Sequence, residues 1–169
     1  MMGAVNYGGK AGAWKKLSMA IDSGAAATVI PHTLVTEYPI LATLASEAGI
    51  CYVSATGDPI PNLGEQRLPL TTEEGSLRAM TFQAAPVAKP LGSVKMICQA
   101  GHMVVFDDEG SYIYNKHTQE INWLREECVN YLLDVWLPRA AAVEPSSWQH
   151  PHDRGVIETL RQQPFRSQP

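Results

Sequence analysis

Short apolar runs separated by turn signals recur along this chain, and that rhythm constrains its fold more than any other feature. Residues 17–21, 27–30, 51–53, 66–70, 77–87, 103–106, 112–114, 120–124 and 131–136 form such runs. They are too short for ordinary helices, they are rich in Val, Ile, Leu, Tyr and Phe, and several alternate apolar with polar residues, as half-buried strands do. Between them lie turn formers: Thr56-Gly57-Asp58-Pro59, Glu73-Glu74-Gly75 and Asp107-Asp108-Glu109-Gly110. Strands spaced about ten residues apart predict an all-β barrel or sandwich. One short helix is expected over 40–48, begun after Pro39 and ended by Gly49. The last runs, 103–136, read as a β-meander appended to the barrel, and at most one or two short helices are expected in all.

One turn among these carries chemistry. Asp22-Ser23-Gly24-Ala25 sits between the apolar runs 17–21 and 27–30. Gly24 has no Cβ to keep backbone N–H groups from the Asp22 carboxylate. The Ser23 hydroxyl can donate to a nearby carbonyl and lock the loop. The apolar flanks bury the base of the turn and hold the acid in a poorly hydrated place. Two such carboxylates about 3 Å apart cannot both ionise, so they share a proton and can activate a water. Asp-Ser-Gly alone is also an ordinary turn tripeptide. The motif occurs once, so a chain that uses it this way holds half a site and works as a homodimer.

Composition narrows the alternatives. The chain has 169 residues, of which 45% are hydrophobic and 18% charged, enough for one domain with a sizeable core. Its net charge of −4 gives no reason to expect a nucleic-acid partner. No apolar run approaches the roughly 20 residues that cross a bilayer, so no membrane partner is expected, and the first residues lack a signal-peptide core. Cys51, Cys98 and Cys128 are sparse and odd in number, which suits reduced thiols in an intracellular, cytoplasmic setting. No metal or other cofactor is expected. His150-Pro151-His152-Asp153 lacks a fourth ligand, His32, His102 and His117 are isolated, and Asp107-Asp108-Glu109 lacks calcium-loop spacing. Trp123 and Trp136 read as core or interface residues. The organisation expected is a Gly-rich, flexible lead at 1–14, one domain at 15–137, and a Pro-rich, disordered tail or linker at 138–169 with a brief helix at 156–162.

Asp22-Ser23-Gly24-Ala25-Ala26-Ala27-Thr28-Val29-Ile30 resembles the active-site segment of retropepsins, the retroviral-type aspartic peptidases. The downstream order is similar to the protease region of copia-type retrotransposon polyproteins. It runs through Ser54-Ala55-Thr56-Gly57, Ile60-Pro61-Asn62-Leu63-Gly64, Leu91-Gly92-Ser93-Val94, Gly101-His102, Val104-Val105-Phe106 and Tyr131-Leu132-Leu133-Asp134-Val135. The resemblance spans about Lys16 to Trp136. It implies a retropepsin-like closed barrel and a homodimeric aspartic endopeptidase that cuts extended peptide or polyprotein segments. Asp22 would be the catalytic acid, with Ser23, Gly24 and Ala25 shaping its loop. A flap from about Val53 to Leu68 would close over substrate, with Ala55, Thr56, Gly57 and Asp58 as contacts. Leu91 and Gly92 would lie beneath the catalytic loop. Three departures stand out. Ser23 replaces the commoner Thr, Ser93-Val94 stands where many retropepsins have Arg-Asp or Arg-Asn, and Pro59 and Pro61 stiffen the flap. They leave a second expectation open: a retropepsin-fold module that has lost catalysis and serves dimerisation or peptide binding.

Overall fold

The computed structural model describes residues 14–139. The expected lead (Trp14 apart), the tail beyond Arg139, the helix at 156–162 and the His150-Pro151-His152-Asp153 group lie outside the described residues.

Alternation makes the first strand. In β1 (Trp14–Asp22), Leu17, Met19 and Ile21 turn inward and are buried, while Lys16 points out. Six strands then close a barrel. Around the ring they run β1, β7 (Leu91–Ser93), β2 (Val29–Pro31), β6 (Leu77–Ala85), β5 (Glu65–Thr72), β12 (Asn130–Pro138) and back to β1. At the closing seam β1 pairs antiparallel with β12 from Trp14↔Pro138 to Ala20↔Leu132. The apolar run at 131–136 therefore does not end the meander, as its sequence neighbours suggest, but returns to shut the barrel. Closure removes the exposed strand edges that an open sheet would present. The expected all-β barrel with few helices is what the chain forms.

The interior is filled by Leu17, Met19, Ile30, Leu68, Phe82, Val135 and Leu137, all nearly or fully buried. Each such side chain contributes about 1.5–3 kcal/mol by leaving water. Outside the barrel lie a three-stranded meander, β8 (His102–Val105), β9 (Tyr112–Asn115) and β10 (Ile121–Trp123), and a short strand, β11 (Arg125–Glu127), that pairs with β12. Ile97, Ile113 and Leu124 join this outer layer to the core cluster.

Two helices form. The expected one is shorter than 40–48: α1 covers Leu44–Glu47, capped reciprocally by Thr43 and Ser46, with Gly49 beyond it at φ +70. The second, α2 (Val94–Gln99), follows β7 directly and was not placed from the sequence.

The flap needs a correction. The hairpin pairs only β3 (Cys51–Val53) with β4 (Pro59–Pro61), so it ends well before Leu68. Residues from Glu65 on belong to the barrel wall, where Gln66 and Leu68 are buried. Gly64 divides the two. At its φ of +124 an added Cβ would meet the Leu41 carbonyl oxygen at 2.4 Å, so only glycine lets the chain bend here into β5. Leu41 and Glu65 then pin the bend by exchanging backbone hydrogen bonds of 2.8 Å.

Candidate active site

The Asp22 loop stands where three strands converge. β1 ends at Asp22 and β2 begins at Val29, six residues later in numbering than Ser23, yet these neighbours in sequence do not pair with each other. β7 is threaded between them, parallel to β1 (Ile21↔Gly92, Asp22↔Ser93) and antiparallel to β2 (Val29↔Leu91). Leu91 and Gly92 pair with the end of β1, next to the loop. A Cβ on Gly92 would come within 2.9 Å of Ile21 Cδ1 and 3.0 Å of Met19 Sδ, so a side chain there would require those two side chains to shift.

Hydrogen bonds fix the loop on this base. The Gly24 N–H donates to Asp22 Oδ1 at 2.7 Å. A Cβ on Gly24 would sit 3.3 Å from that oxygen, so glycine gives the amide its close approach. Ser93, fully buried, clasps the loop from below: its Oγ donates to the Ala25 carbonyl at 2.7 Å, and its N–H donates to Thr28 Oγ1 at 3.1 Å. The same Oγ accepts from the Met96 N–H at 3.3 Å and so caps α2. The Thr28 carbonyl in turn accepts from the Gln83 N–H of β6 at 2.8 Å. The hydroxyl on a loop carbonyl is therefore that of Ser93, whereas Ser23 is exposed.

The base of the loop is dry and its crest is open. Ile21, Thr28 and Val29 are buried, Asp22 is half-buried, and Ser23 and Gly24 face solvent in the single chain. The Asp22 carboxylate is thus only half withdrawn from water, less than the apolar flanks suggest. With one hydrogen bond accepted from Gly24, the carboxylate retains lone pairs for a second acid or a water.

Ala55, Thr56, Gly57 and Asp58 form the exposed tip of the β3–β4 hairpin. Their bonds run among themselves. Thr56 Oγ1 donates to Asp58 Oδ2 at 2.6 Å and lies 2.8 Å from Ser54 Oγ, which accepts from the Asp58 N–H at 3.0 Å. The base of the hairpin is held instead by Asn62, which is buried. Its Nδ2 donates to Tyr52 Oη and Gln83 Oε1, both at 3.1 Å, and its Oδ1 accepts from the Gly64 N–H at 2.9 Å. Burial raises the Tyr52 phenol above its ordinary value and keeps it neutral as an acceptor.

Three positioning residues escaped the sequence reading: Ser93, Thr28 and Asn62. Ser93 carried a usable signal, a serine before a short run with Gly101 just past its end, which is helix-cap punctuation. Thr28 and Asn62 act through partners far along the chain and leave no local mark. Among the described residues, no group of three or more His, Cys, Asp or Glu could hold a metal ion, and no helix is long and apolar enough to cross a membrane. No protein-family model matches the chain, and comparison with curated proteins finds no significant match.

Proposed function

We propose that this chain is an aspartic endopeptidase of the retropepsin type, active as a homodimer on extended peptide or polyprotein segments in an intracellular setting. The observation that carries the reading is the Asp22 loop. A single carboxylate is oriented by the Gly24 amide, seated on a threaded glycine strand, and clasped by Ser93, with its open side toward solvent. In a dimer two Asp22 carboxylates would face each other across that open side. The pair would share one proton. Its ionised member takes a proton from a water as the water oxygen bonds to the peptide carbonyl carbon, and its protonated member donates to the carbonyl oxygen. Collapse of the resulting diol breaks the C–N bond and delivers a proton to the leaving amine. The β3–β4 hairpin supplies a cover for substrate.

The test is cleavage of an unstructured polypeptide by the purified chain at acidic to near-neutral pH. Replacement Asp22→Asn should lower the rate by about 10³-fold or more while leaving the fold intact. Equal cleavage by that variant would sink the reading. The rate should also rise more steeply than linearly with protein concentration until the dimer is saturated.

One observation favours a second reading, a non-catalytic peptide-binding or dimerisation module of the same fold. Pro59 and Pro61 occupy two of the three β4 positions, which removes their N–H donors and stiffens the cover. That reading predicts saturable peptide binding with no turnover, unchanged by Asp22→Asn.

A further inference from the structure

The surface around α1 is apolar and uncovered. A helix of four residues is too short to hold itself together, yet α1 packs no side chain into the core, and its Leu44 is 87% exposed. Ile40, Leu41, Ile50 and Leu63 are exposed as well. Main-chain contacts gather the five into one patch. Leu41 exchanges hydrogen bonds with Glu65, and a Cβ on Gly64 would reach Ile40 Cγ2 at 2.9 Å, which brings Ile40 and Leu41 beside Leu63. The Ile50 carbonyl accepts from the Asn62 N–H at 3.1 Å, and the Ile50 N–H donates to the Ala45 carbonyl of α1 at 3.0 Å. Apolar side chains exposed singly are ordinary, but a contiguous group of them marks a surface that is covered by something.

The chain leaves the barrel beside this patch. Tyr38 Oη donates to the Pro138 carbonyl at 2.7 Å, so the end of β12 is tied to a residue two before Ile40. Leu44 is six residues from Tyr38 and so lies within about 20 Å of it. Residues 140–155 separate Arg139 from Val156, a link that reaches about 55 Å when extended. Just beyond it, Val156, Ile157 and Leu160 are spaced i, i+1, i+4, which puts three apolar side chains on one side of a helical turn. Charge agrees with this match. The segments that carry the patch, 33–50 and 62–65, hold Glu37, Glu47 and Glu65 and no Lys or Arg. Lys15 answers Glu37 at 3.9 Å, so Glu47 and Glu65 set the sign of the rim. Residues 154–166 hold Arg154, Arg161 and Arg166 against one acid, Glu158. A second copy of the patch would bring like charges together, whereas the Arg-bearing segment brings opposite ones.

We propose that residues 154–166 fold back in cis onto the α1 face, with Val156, Ile157 and Leu160 on the apolar patch and the arginines toward its acidic rim. Ile50 leads into β3 and Leu63 follows β4, so the docked segment braces both legs of the hairpin at their root. This holds whatever the Asp22 loop does. The test is methyl NMR on the full chain with labelled Leu, Ile and Val. Leu160 should show methyl-to-methyl NOEs to Leu44 or Ile50. Leu44→Asp, which alters a side chain that the barrel does not bury, should abolish them. Leu160→Asp should shift the amides of Leu41, Leu44, Ile50 and Leu63 and leave those of Ile113 and Trp123 in place. The absence of these NOEs, with patch amides unmoved by Leu160→Asp, overturns the proposal. NOEs that arise only between chains, in a mixture of labelled and unlabelled protein, overturn docking in cis and assign the segment to a second copy. Patch shifts that follow protein concentration but ignore Leu160→Asp also overturn it, in favour of two copies meeting at this face.

Discussion

Two turns that carry an aspartate, the Asp22 loop and the tip of the β3–β4 hairpin, are built in opposite ways. The Asp22 loop is tied to distant chain: Ser93 reaches Ala25 and Thr28 across separations of 68 and 65 residues. The hairpin tip around Asp58 is tied to itself, through Ser54 and Thr56, at separations of two to four. The first cannot move without disturbing the barrel. The second is a preformed unit on a base held by Asn62. On the function proposed above, the first arrangement suits a carboxylate that must keep a fixed position. The same side chain in the same kind of turn is thus held by distant chain in one place and by its own neighbours in the other.

That contrast can be broken by experiment. The largest expected effect is on cleavage. Asp22→Asn should cost about 10³-fold, whereas Asp58→Asn should change kcat/KM by less than about tenfold; similar losses would erase the distinction. Next comes the root of the hairpin. Gly64→Ala should destabilise by about 3 kcal/mol in chemical denaturation, because its Cβ meets the Leu41 carbonyl. Gly57→Ala at the tip, also at positive φ but with open space around it, should cost about 1 kcal/mol. The clasp follows. Ser93→Ala removes the bond to Ala25 and the α2 cap, for about 2 kcal/mol, while Ser54→Ala should cost under about 0.5 kcal/mol.

A baseline for both turns comes from the barrel seam, at Asp134. Burial pushes Asp134 up, but hydrogen bonds from Arg125 and Ser18 and the Lys16 charge outweigh it and hold Asp134 at about 2. Its folded value lies below the unfolded one near 3.9, so its stabilisation is present above about pH 4 and is lost as pH falls through 2. Asp134→Asn should therefore cost about 1 kcal/mol at pH 7, measured by thermal melts, and nothing near pH 2. A gap that persists in acid would mean the seam is held by something other than this charge.

What could be read from the sequence follows the same divide between local and distant causes. The strand rhythm gave the barrel class, and turn chemistry marked Asp22, Gly57, Gly75 and Gly110 at or beside the bends they make. Leu91-Gly92 next to the loop came through resemblance. The threading of β7 between β1 and β2 did not come from pattern, because a three-residue strand has too little alternation to declare its neighbours. α2 went unread because Val and Ile have low helix propensity, although Ser93 and Gly101 bracket it. The hairpin was drawn too long because 65–70 alternates like a flap strand, and only burial of Gln66 and Leu68 shows it to be wall.

The insertion of β7 has a consequence in time. Ribosomes deliver β1, the Asp22 loop and β2 early, but the strand that must slot between them arrives some seventy residues later, and β12 later still. Until then Ile21 and Val29 lack their ladder partners and Asp22 has no seat. Pairings this remote in sequence form slowly. The Asp22 loop therefore gains its seat only after β7 has been made, and the barrel that carries it closes only with β12.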